Sequence, residues 1–352
     1  MKKFIIIYTV SLSFAFTQYR YGTTTANFLE IGVSSNAVAM GEAYVSMADD
    51  AISAYWNPAG LANISGLEFG FSTQDWVVGI KHSSFATAIN MGNYGTISAW
   101  FTDFDYGSIE VTNVSNQNGT GEFYNANEIS ASLAYGRNLV DWFSFGASLK
   151  MIKSNIWHSS AKATALDLGV IVKTDFFTFS GDKSRGMKIG MSISNYGTRM
   201  KYDGIDLIQP IDPSEDFGNY ADVKGKYETS YWELPLIFRI GVSNDFFKSK
   251  YSSLIVAIDA IHPNNDKERI NIGLKYSYNY PRLISFYIGA GFKGMHTQIR
   301  GNKIQFSSPF GPALGIGMSI PIQNKLKLKF NYTVRSVGVF GFSKLVTIGL
   351  NF

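Results

Sequence analysis

The feature that most constrains the fold of this chain is an alternation of apolar side chains with polar or small ones, repeated from residue 66 to residue 352. In one such stretch the apolar positions are Ile270, Ile272, Leu274, Tyr276 and Tyr278, and the intervening ones are Arg269, Asn271, Gly273, Lys275 and Ser277. A period of two indicates a strand with one apolar face and one polar face. Each stretch has about ten residues, the length a tilted strand needs to cross a bilayer. The pattern therefore predicts an all-β fold, a transmembrane antiparallel β-barrel.

The alternation divides into 14 segments, and an even number is usual for bacterial single-chain barrels. They cover residues 66–73, 79–91, 93–103, 127–138, 141–154, 160–174, 185–197, 230–245, 252–262, 267–280, 283–298, 309–322, 325–337 and 341–352. The longest connections, 104–126 and 198–229, both follow odd-numbered segments. Connections after even-numbered segments are mostly short, although 175–184 is longer, and 263–266 is short for an outer loop. This asymmetry predicts that the long loops are extracellular.

Composition agrees with a barrel and excludes several other classes of protein. Aromatic residues make up 15% of the chain and charged residues only 16%, as expected when aromatic girdles flank a lipid-facing band. Mean hydropathy is near zero, which is uninformative because the two faces of each strand cancel. There is no cysteine, so disulfides and thiolate zinc sites are excluded. The net charge of +4 is too small to indicate a nucleic-acid-binding protein.

The N-terminus predicts export. Lys2 and Lys3 precede an apolar run over residues 4–16, which is shorter than the roughly 20 residues of a membrane-spanning helix. Residues 1–17 therefore match a secretory signal peptide, with cleavage after Ala15 or after Thr17. A membrane anchor is the alternative for this run.

Between the signal peptide and the first strand lies a segment of different character. Residues 36–64 are rich in Ala, Gly and small polar residues and poor in bulky β-branched ones, so they form a poor strand. We expect a short helix that Pro58 and Gly60 bring to an end. The chain then divides into a signal peptide (1–17), an N-terminal hatch (18–65) and a barrel (66–352).

Two stretches carry a resemblance to a known family. Residues 39–45 (AMGEAYV), 49–51 (DDA) and 55–61 (YWNPAGL) resemble the N-terminal signature of PorV/PorQ outer-membrane proteins, which are related to FadL-type transporters. Residues 259–264 (DAIHPN) and 268–273 (ERINIG) resemble a later part of the same family. The signature residues are Gly41, Glu42, Asp49, Asp50, Asn57, Pro58 and Gly60. The resemblance implies a 14-stranded barrel whose N-terminal segment folds into the lumen as a hatch.

The resemblance also implies a location, partners and a function. It places the chain in the outer membrane, in contact with lipid and lipopolysaccharide, and makes the terminal aromatic residue Phe352 a signal for the barrel assembly machinery. It implies a non-enzymatic accessory of type IX secretion that presents loops to cargo proteins or to a translocon. The alternative is a FadL-like channel for a hydrophobic ligand, because one fold hosts many functions.

Opposite charges are expected on the wall and on the hatch. The basic side chains predicted to face the lumen are Lys150, Arg239, Lys275, Lys327, Lys329 and Arg335, and the clearest acidic ones are Asp167 and Asp259. The hatch carries Glu30, Glu42, Asp49 and Asp50, and no Lys or Arg occurs in residues 21–80. Two interpretations remain open: the charges neutralise each other and hold the hatch, or some of the cations meet an anionic ligand.

Other candidate sites give no indication of an enzyme, a metal site or a cofactor. Residues 289–294 (GAGFKG) match a dinucleotide fingerprint, but they lie inside a predicted strand, where small residues facing the hatch explain them better. The four histidines lack metal-binding spacing. Loop 198–229 carries carboxylates at positions 203, 206, 212, 215, 216 and 222 that could hold Ca²⁺ but lack calcium-loop spacing, so a solvated surface is the other interpretation. At or near that loop, the possible docking anchors are Tyr202, Phe217, Tyr220, Tyr227, Tyr231 and Trp232.

Overall fold

A computed structural model describes residues 20–179, 186–211, 223–280, 283–300, 303–308, 310–322 and 326–352; for 297–300 and 303–307 it describes the backbone alone. The predicted signal peptide, residues 1–17, lies outside the described residues and stays a prediction. In the described ranges, no helix is long and apolar enough to span a membrane.

Fourteen antiparallel strands form one closed barrel, as predicted. They are β1 (Leu67–Asp75), β2 (Lys81–Asn90), β3 (Thr96–Glu110), β4 (Phe123–Val140), β5 (Phe143–Ile156), β6 (Ser159–Lys173), β7 (Lys188–Gly197), β8 (Ile237–Lys248), β9 (Ser252–Pro263), β10 (Arg269–Tyr280), β11 (Ile284–Arg300), β12 (Pro312–Pro321), β13 (Lys327–Ser336) and β14 (Phe342–Asn351). Each strand pairs with its neighbours in sequence, and β1 pairs with β14. The barrel has no free edge, which satisfies the backbone hydrogen bonds that a membrane strand requires.

The strands follow the alternation in the sequence. On β4 and β5 the apolar residues Leu133 and Leu149 are exposed, whereas Ser132 and Lys150 are buried. Directly paired residues point to the same side, so Ser132 and Lys150 both face the lumen. One face of the barrel is therefore apolar and the other polar.

Both long loops have different bounds from those predicted. The first spans only 111–122, because β3 and β4 continue their pairing past a bulge at Gly107, whose φ is +77°. The second spans 198–236, since β8 begins at Ile237 rather than at residue 230. Pro235, which lacks an N–H group, lies just before this start. We call the end of the barrel with these loops the loop end and the opposite end, which carries Phe352, the turn end.

The loop between β7 and β8 contains secondary structure of its own. Asp203–Gly204 pairs with the start of β6, and Ile208–Pro210 pairs with Lys224–Lys226 as a small ribbon.

Short elements also occur elsewhere between the barrel strands. Lys303–Ser307 pairs with the outer part of β11. Short 3₁₀ turns occur at Val77–Gly79, Gly92–Tyr94, Ile205–Leu207 and Gly338–Phe340.

The N-terminal segment, which we define as residues 20–66, contains one α-helix, Ser35–Ala39, and 3₁₀ turns at Asn27–Glu30, Ile52–Tyr55 and Pro58–Asn63. The prediction that Pro58 ends a helix was wrong. Pro58 begins the last turn instead, because its fixed φ suits a first helical position. The side chain of Asn57 caps that turn by accepting a hydrogen bond of 3.0 Å from the backbone N–H of Ala59.

This segment lies inside the barrel. Its helix contacts β11 to β14, whereas the turns Ile52–Tyr55 and Pro58–Asn63 contact β2 to β6 on the opposite side. A segment that touches strands around the circumference must occupy the lumen. Glycines on the inner wall permit this approach: a Cβ atom on Gly291 would overlap the backbone of Met40 and Gly41. The exact hatch bounds of 18–65 stay a prediction.

Candidate functional site

The contact surface between the N-terminal segment and the barrel wall is centred on Glu42. Its backbone has a φ of +64°, following Gly41 at +61°, and this left-handed pair turns the chain after the helix Ser35–Ala39. The carboxylate is buried: Arg335 Nη1 lies 2.7 Å from Oε1, and Lys293 Nζ lies 2.8 Å from each carboxylate oxygen. Burial raises the pKa of Glu42, but Lys293 and Arg335 outweigh it, so the pKa lies below the ordinary value. Glu42 is therefore ionised and held by β11 and β13.

A chain of hydrogen bonds continues from this cluster along the wall. Arg335 Nη2 donates to Gln74 Oε1 at 2.7 Å, and Gln74 Nε2 lies 2.6 Å from His82 Nδ1. The other ring nitrogen of His82 lies 2.9 Å from Thr102 Oγ1. An amide nitrogen only donates, so His82 Nδ1 accepts and its Nε2 carries the proton. This series of hydrogen bonds involves one residue each from β13, β1, β2 and β3 and so links four strands to Glu42.

A second anchor is Asp259 on β9. Its Oδ2 atom accepts the backbone N–H groups of Tyr44 and Val45 at 2.7 and 2.9 Å. Within the segment, Asn57 Nδ2 donates to the backbone oxygen of Val45 at 2.8 Å, and it also donates to the backbone oxygen of Val170 on the wall strand β6 at 3.0 Å. Asp259 thus satisfies buried N–H groups of the segment from the wall, and Asn57 satisfies a buried carbonyl on each side of the contact, as burial requires.

The predicted roles of Asp49 and Asp50 need correction. Asp49 is exposed and accepts a hydrogen bond of 3.0 Å from the Tyr44 hydroxyl. Asp50 accepts a 2.7 Å hydrogen bond from the backbone N–H of Ser53. Both interactions are internal to the segment, and among the described residues neither aspartate forms a salt bridge with the wall. Of the four acids predicted on the hatch, Glu42 and Glu30 are the ones that form ion pairs with wall cations among the described residues.

The six predicted lumen cations have different environments. Lys150 pairs with Asp167 at 2.8 Å, and Lys329 pairs with Glu68 at 3.4 Å, so these charges are neutralised within the wall. Arg335 belongs to the Glu42 cluster. A fourth predicted cation, Lys327, is exposed at the rim of the turn end.

The other two predicted cations lie against aromatic rings. Arg239 lies 5.9 Å from the ring centre of Tyr55 and 5.7 Å from that of Trp56, both in the N-terminal segment. Lys275 lies 4.6 Å from the ring centre of Tyr287.

Sequence reasoning missed two cations that bind the segment. Lys293 contacts Glu42, and Arg269 lies 3.4 Å from Glu30. The same alternation that places Gly289 and Gly291 toward the lumen also places Lys293 there, so the signal was present. The interpretation of residues 289–294 as small residues facing the hatch is confirmed, because Gly289 and Gly291 lie against Ala39 and Met40.

At the loop end the lumen is filled with apolar side chains. Phe28 and Leu29 of the N-terminal segment pack in one buried cluster with Met200 and Leu234 from loop 198–236. The wall contributes small or apolar residues to the same cluster: Phe104, Ile152, Ala161, Ala163 and Ala165. The segment and the loop together therefore close this end of the barrel.

The base of loop 198–236 is tied to the N-terminal segment. Thr24 forms a parallel bridge with Glu233, and Met200 forms an antiparallel bridge with Trp232. The carboxylate of Glu233 lies 3.2 Å from both Arg20 and Arg199. These contacts fix the loop over the lumen.

Several aromatic side chains of this loop are exposed. Tyr227 and Tyr231 are 68% and 64% exposed, and Trp232 is 40% exposed. Of the other predicted anchors, Tyr202 packs partly against the loop-end cluster, and Phe217 and Tyr220 lie outside the described residues.

The two described carboxylates of the hypothetical Ca²⁺ site, Asp203 and Asp206, have basic partners. Asp203 pairs with Lys226, and Asp206 lies 2.8 Å from His158 Nδ1. The remaining carboxylates of the hypothetical Ca²⁺ site, at positions 212, 215, 216 and 222, lie outside the described residues. In the described part of the chain, no group of three or more His, Asp or Glu side chains could hold a metal ion.

Phe352 follows the closing strand β14. Its backbone N–H donates to Leu67 at 2.9 Å, and its ring packs edge-on against Phe69 at 6.3 Å. β14 pairs with both β1 and β13, so the last strand of the chain is not an edge strand. The role of Phe352 as an assembly signal stays a prediction.

Comparison with known proteins identifies a family and a fold. The model of a family described as "Type IX secretion system protein PorV" matches residues 15–212, more than half of the chain. No curated protein matches the chain.

Among solved structures, the CymD monoaromatic hydrocarbon channel is 12% identical with a TM-score of 0.53, covering 91% of this chain and 96% of its own. The Ralstonia pickettii toluene transporter TbuX is 11% identical with a TM-score of 0.52, covering 91% and 97%. The P. putida toluene transporter TodX is 10% identical with a TM-score of 0.53, covering 95% and 97%. At this level of identity the likeness concerns the fold alone.

Proposed function

This chain belongs to the PorV family of outer-membrane β-barrel proteins, and we propose that it is a non-enzymatic accessory of type IX secretion. In this role its loop end presents a docking surface to secreted cargo or to the translocon. The barrel and the N-terminal segment serve as a rigid scaffold for that surface, as is common for binding loops.

The observation that carries this proposal is the filled loop end of the lumen. Phe28, Leu29, Met200 and Leu234 are each at most 3% exposed, and they pack together across the barrel. A channel for hydrophobic molecules needs an apolar path through this region. Here the apolar space is occupied by the side chains of the protein itself, and opening it requires movement of the segment and of loop 198–236. A closed scaffold fits binding better than conduction.

The form of loop 198–236 supports the same role. Its base is fixed by the Glu233 contacts with Arg20 and Arg199. Its aromatic residues Tyr227 and Tyr231 face solvent, where large exposed side chains are favourable contacts for a protein partner. A fixed base and exposed anchors reduce the entropy lost on binding.

Uptake of hydrophobic small molecules is the second candidate. It is favoured by the fold shared with hydrocarbon and toluene transporters. It is also favoured by an apolar groove of about 570 Å³ on the outer wall, lined by Phe238, Ile240, Ile270 and Ile272 among others. Arg269, which also lines this groove, forms a partly buried pair with Glu30 that ties the segment to the wall. The groove thus lacks the continuous apolar path to the lumen that transport requires.

The test is copurification from membranes of the native host. We expect the tagged protein to retain a large secretion partner or cargo, and Tyr227→Ala combined with Tyr231→Ala to reduce the retained amount tenfold or more. The matched control is Tyr94→Ala combined with Trp142→Ala, two aromatics that are 76% and 58% exposed at the turn end. This control should retain the partner at the original level.

Three results would argue against the proposal. Partner retention by a variant lacking most of loop 198–236 would remove the loop end as the docking surface. Equal losses in the two double variants would indicate a general defect instead. Copurification of a hydrophobic ligand inside the lumen, without any protein partner, would favour uptake.

A further inference from the structure

Two adjoining cavities occupy the lumen at the turn end, beneath the N-terminal segment. Their volumes are about 330 and 210 Å³, and both are lined by Asp49 and Lys275. The larger cavity lies against the ends of β6, β7 and β8. Among the described residues, its lining includes the lysines Lys173, Lys188, Lys248 and Lys275 and the acidic residues Asp49 and Asp245.

The lining of the larger cavity therefore carries an excess of positive charge. Among the described lining residues, four lysines face two aspartates, which leaves two positive charges uncompensated. Asp49 is also engaged by the Tyr44 hydroxyl. Lys173 donates to Asn63 at 3.0 Å, which satisfies one of its protons without neutralising the charge.

Three other lumen lysines are neutralised by nearby carboxylates. Lys150, Lys293 and Lys329 each have a carboxylate oxygen within 3.4 Å. Within the described ranges, Lys188, Lys248 and Lys275 form no salt bridge. The lysines of the turn-end cavity thus differ from Lys150, Lys293 and Lys329, which are paired with carboxylates.

We propose that the larger turn-end cavity binds an oxyanion, either a carboxylate or a phosphate group. Lysine ammonium groups bind such anions as point charges, and charge-assisted hydrogen bonds of this kind are among the strongest. A volume of 330 Å³ corresponds to roughly ten water molecules at about 30 Å³ each, which accommodates a phosphate or a carboxylate-bearing group with some hydration.

The arrangement of charge also restricts the ligand. Lys188 and Lys248 are exposed, so they form the rim, whereas Lys275 is half-buried and lines both cavities together with Asp49. An anionic group can reach the lysines from the rim, whereas a long polyanion would meet Asp49 and Asp50 at the inner end. The site therefore suits one oxyanion group, carried by a free small anion or by the C-terminus of a peptide. The proposed oxyanion site depends on the turn end alone, so a failure to detect anion binding would leave the proposal of loop-end docking unaffected.

Calorimetric titration of the purified full-length barrel in neutral detergent tests the site. The probes are inorganic phosphate, a short peptide with a free C-terminal carboxylate and the same peptide with an amidated C-terminus. We expect saturable binding of phosphate or of the free peptide, and at least tenfold weaker binding of the amidated one. Added salt should weaken binding, because the rim lysines are exposed.

Substitutions then locate the site. Lys275→Gln, and separately Lys188→Gln combined with Lys248→Gln, should each weaken binding tenfold or more. The matched control is Lys162→Gln, which removes one charge from an exposed, outward-facing position on β6 and should change nothing. Heat-modifiable migration on gels checks that each variant is folded.

Each outcome decides the proposal. Binding of phosphate alone identifies a free anion as the ligand, whereas binding of the free peptide alone identifies a C-terminal carboxylate. The proposal is wrong if neither probe binds saturably. It is equally wrong if the folded cavity variants bind as tightly as the parent, or if Lys162→Gln loses binding to the same extent.

Discussion

Glu42 Oε1 lies 2.7 Å from Arg335 Nη1, which joins the N-terminal segment to strand β13 across 293 residues of sequence. Both side chains are almost fully buried, with Lys293 as the second cation. When one partner of a buried ion pair is removed, the charge left behind is uncompensated. The three groups therefore depend strongly on one another.

Glu42→Gln should loosen the N-terminal segment without preventing barrel assembly. The change leaves Lys293 and Arg335 buried without a carboxylate, and we expect a loss of about 3–5 kcal/mol in the free energy of local opening. Hydrogen exchange over residues 36–64 measures this loss. Asp49→Asn is the control, because Asp49 is exposed and its partner is a neutral hydroxyl. Comparable exchange in the two variants would contradict the central role of Glu42.

Gly291→Ala should displace the segment by steric overlap. The new methyl group would meet the backbone of Met40 and Gly41, which cannot move as easily as a flexible side chain. Overpacking of this kind costs about 1–3 kcal/mol. The control is Gly349→Ala, whose Cβ would lie 3.4 Å from Lys329 Cβ. Faster exchange at residues 36–64 is expected in the first variant alone, and unchanged exchange there would mean that the tight fit is unimportant.

The barrel was predictable from sequence because its signal is repeated. The period of two recurs in strand after strand, as on β2, β3, β5 and β6, so an error at a single position does not change the prediction. The bounds were less certain where strands stay paired after the alternation of buried and exposed side chains has stopped, as at residues 105–110. These residues keep their hydrogen-bond partners on β4 past the bulge at Gly107, although their side chains no longer alternate.

The anchors of the segment were harder to predict, for a physical reason. Asp259 binds the backbone N–H groups of Tyr44 and Val45, and any residue with an N–H group could stand there. The side-chain types of the residues that donate these N–H groups therefore do not indicate the contact. Charge complementarity was visible, but it could not distinguish Glu42 from Asp49, since burial decides between them and burial depends on the fold.

The segment should respond to acid in two opposite ways. The pKa of Glu42 is lowered in the folded state, so its stabilisation is present above the ordinary value of 4.5 and is lost as pH falls through the lower folded value. For Asp50, burial and then the neighbouring Asp49 raise the pKa above 3.8. Its ionised form opposes folding, and protonation removes that opposition as pH falls.

Thermal unfolding of the parent and of two variants across acidic pH separates these effects. Glu42→Gln should abolish the loss of stability below about pH 4.5 that is specific to Glu42. Asp50→Asn should remove the gain in stability that protonation of Asp50 gives as the pH falls. Other carboxylates, including Glu68 and Asp259, titrate in all three proteins, so the differences between curves are compared. Parallel curves for Glu42→Gln and the parent would contradict the lowered pKa.

Deletion of Phe352 should impair assembly of the barrel more than deletion of a residue from loop 111–122, such as Ser115. The terminal aromatic follows the strand that closes the barrel, and we expect the assembly machinery to read it there. Loss of packing is a competing explanation, because the ring of Phe352 lies 6.3 Å from that of Phe69. Phe69→Ala removes this contact and keeps the terminal aromatic, so it separates the two. Outer-membrane fractionation with heat-modifiable migration measures assembly in each case. If Phe69→Ala impairs barrel assembly as much as the Phe352 deletion does, the terminal residue acts through packing, and the signal interpretation is wrong.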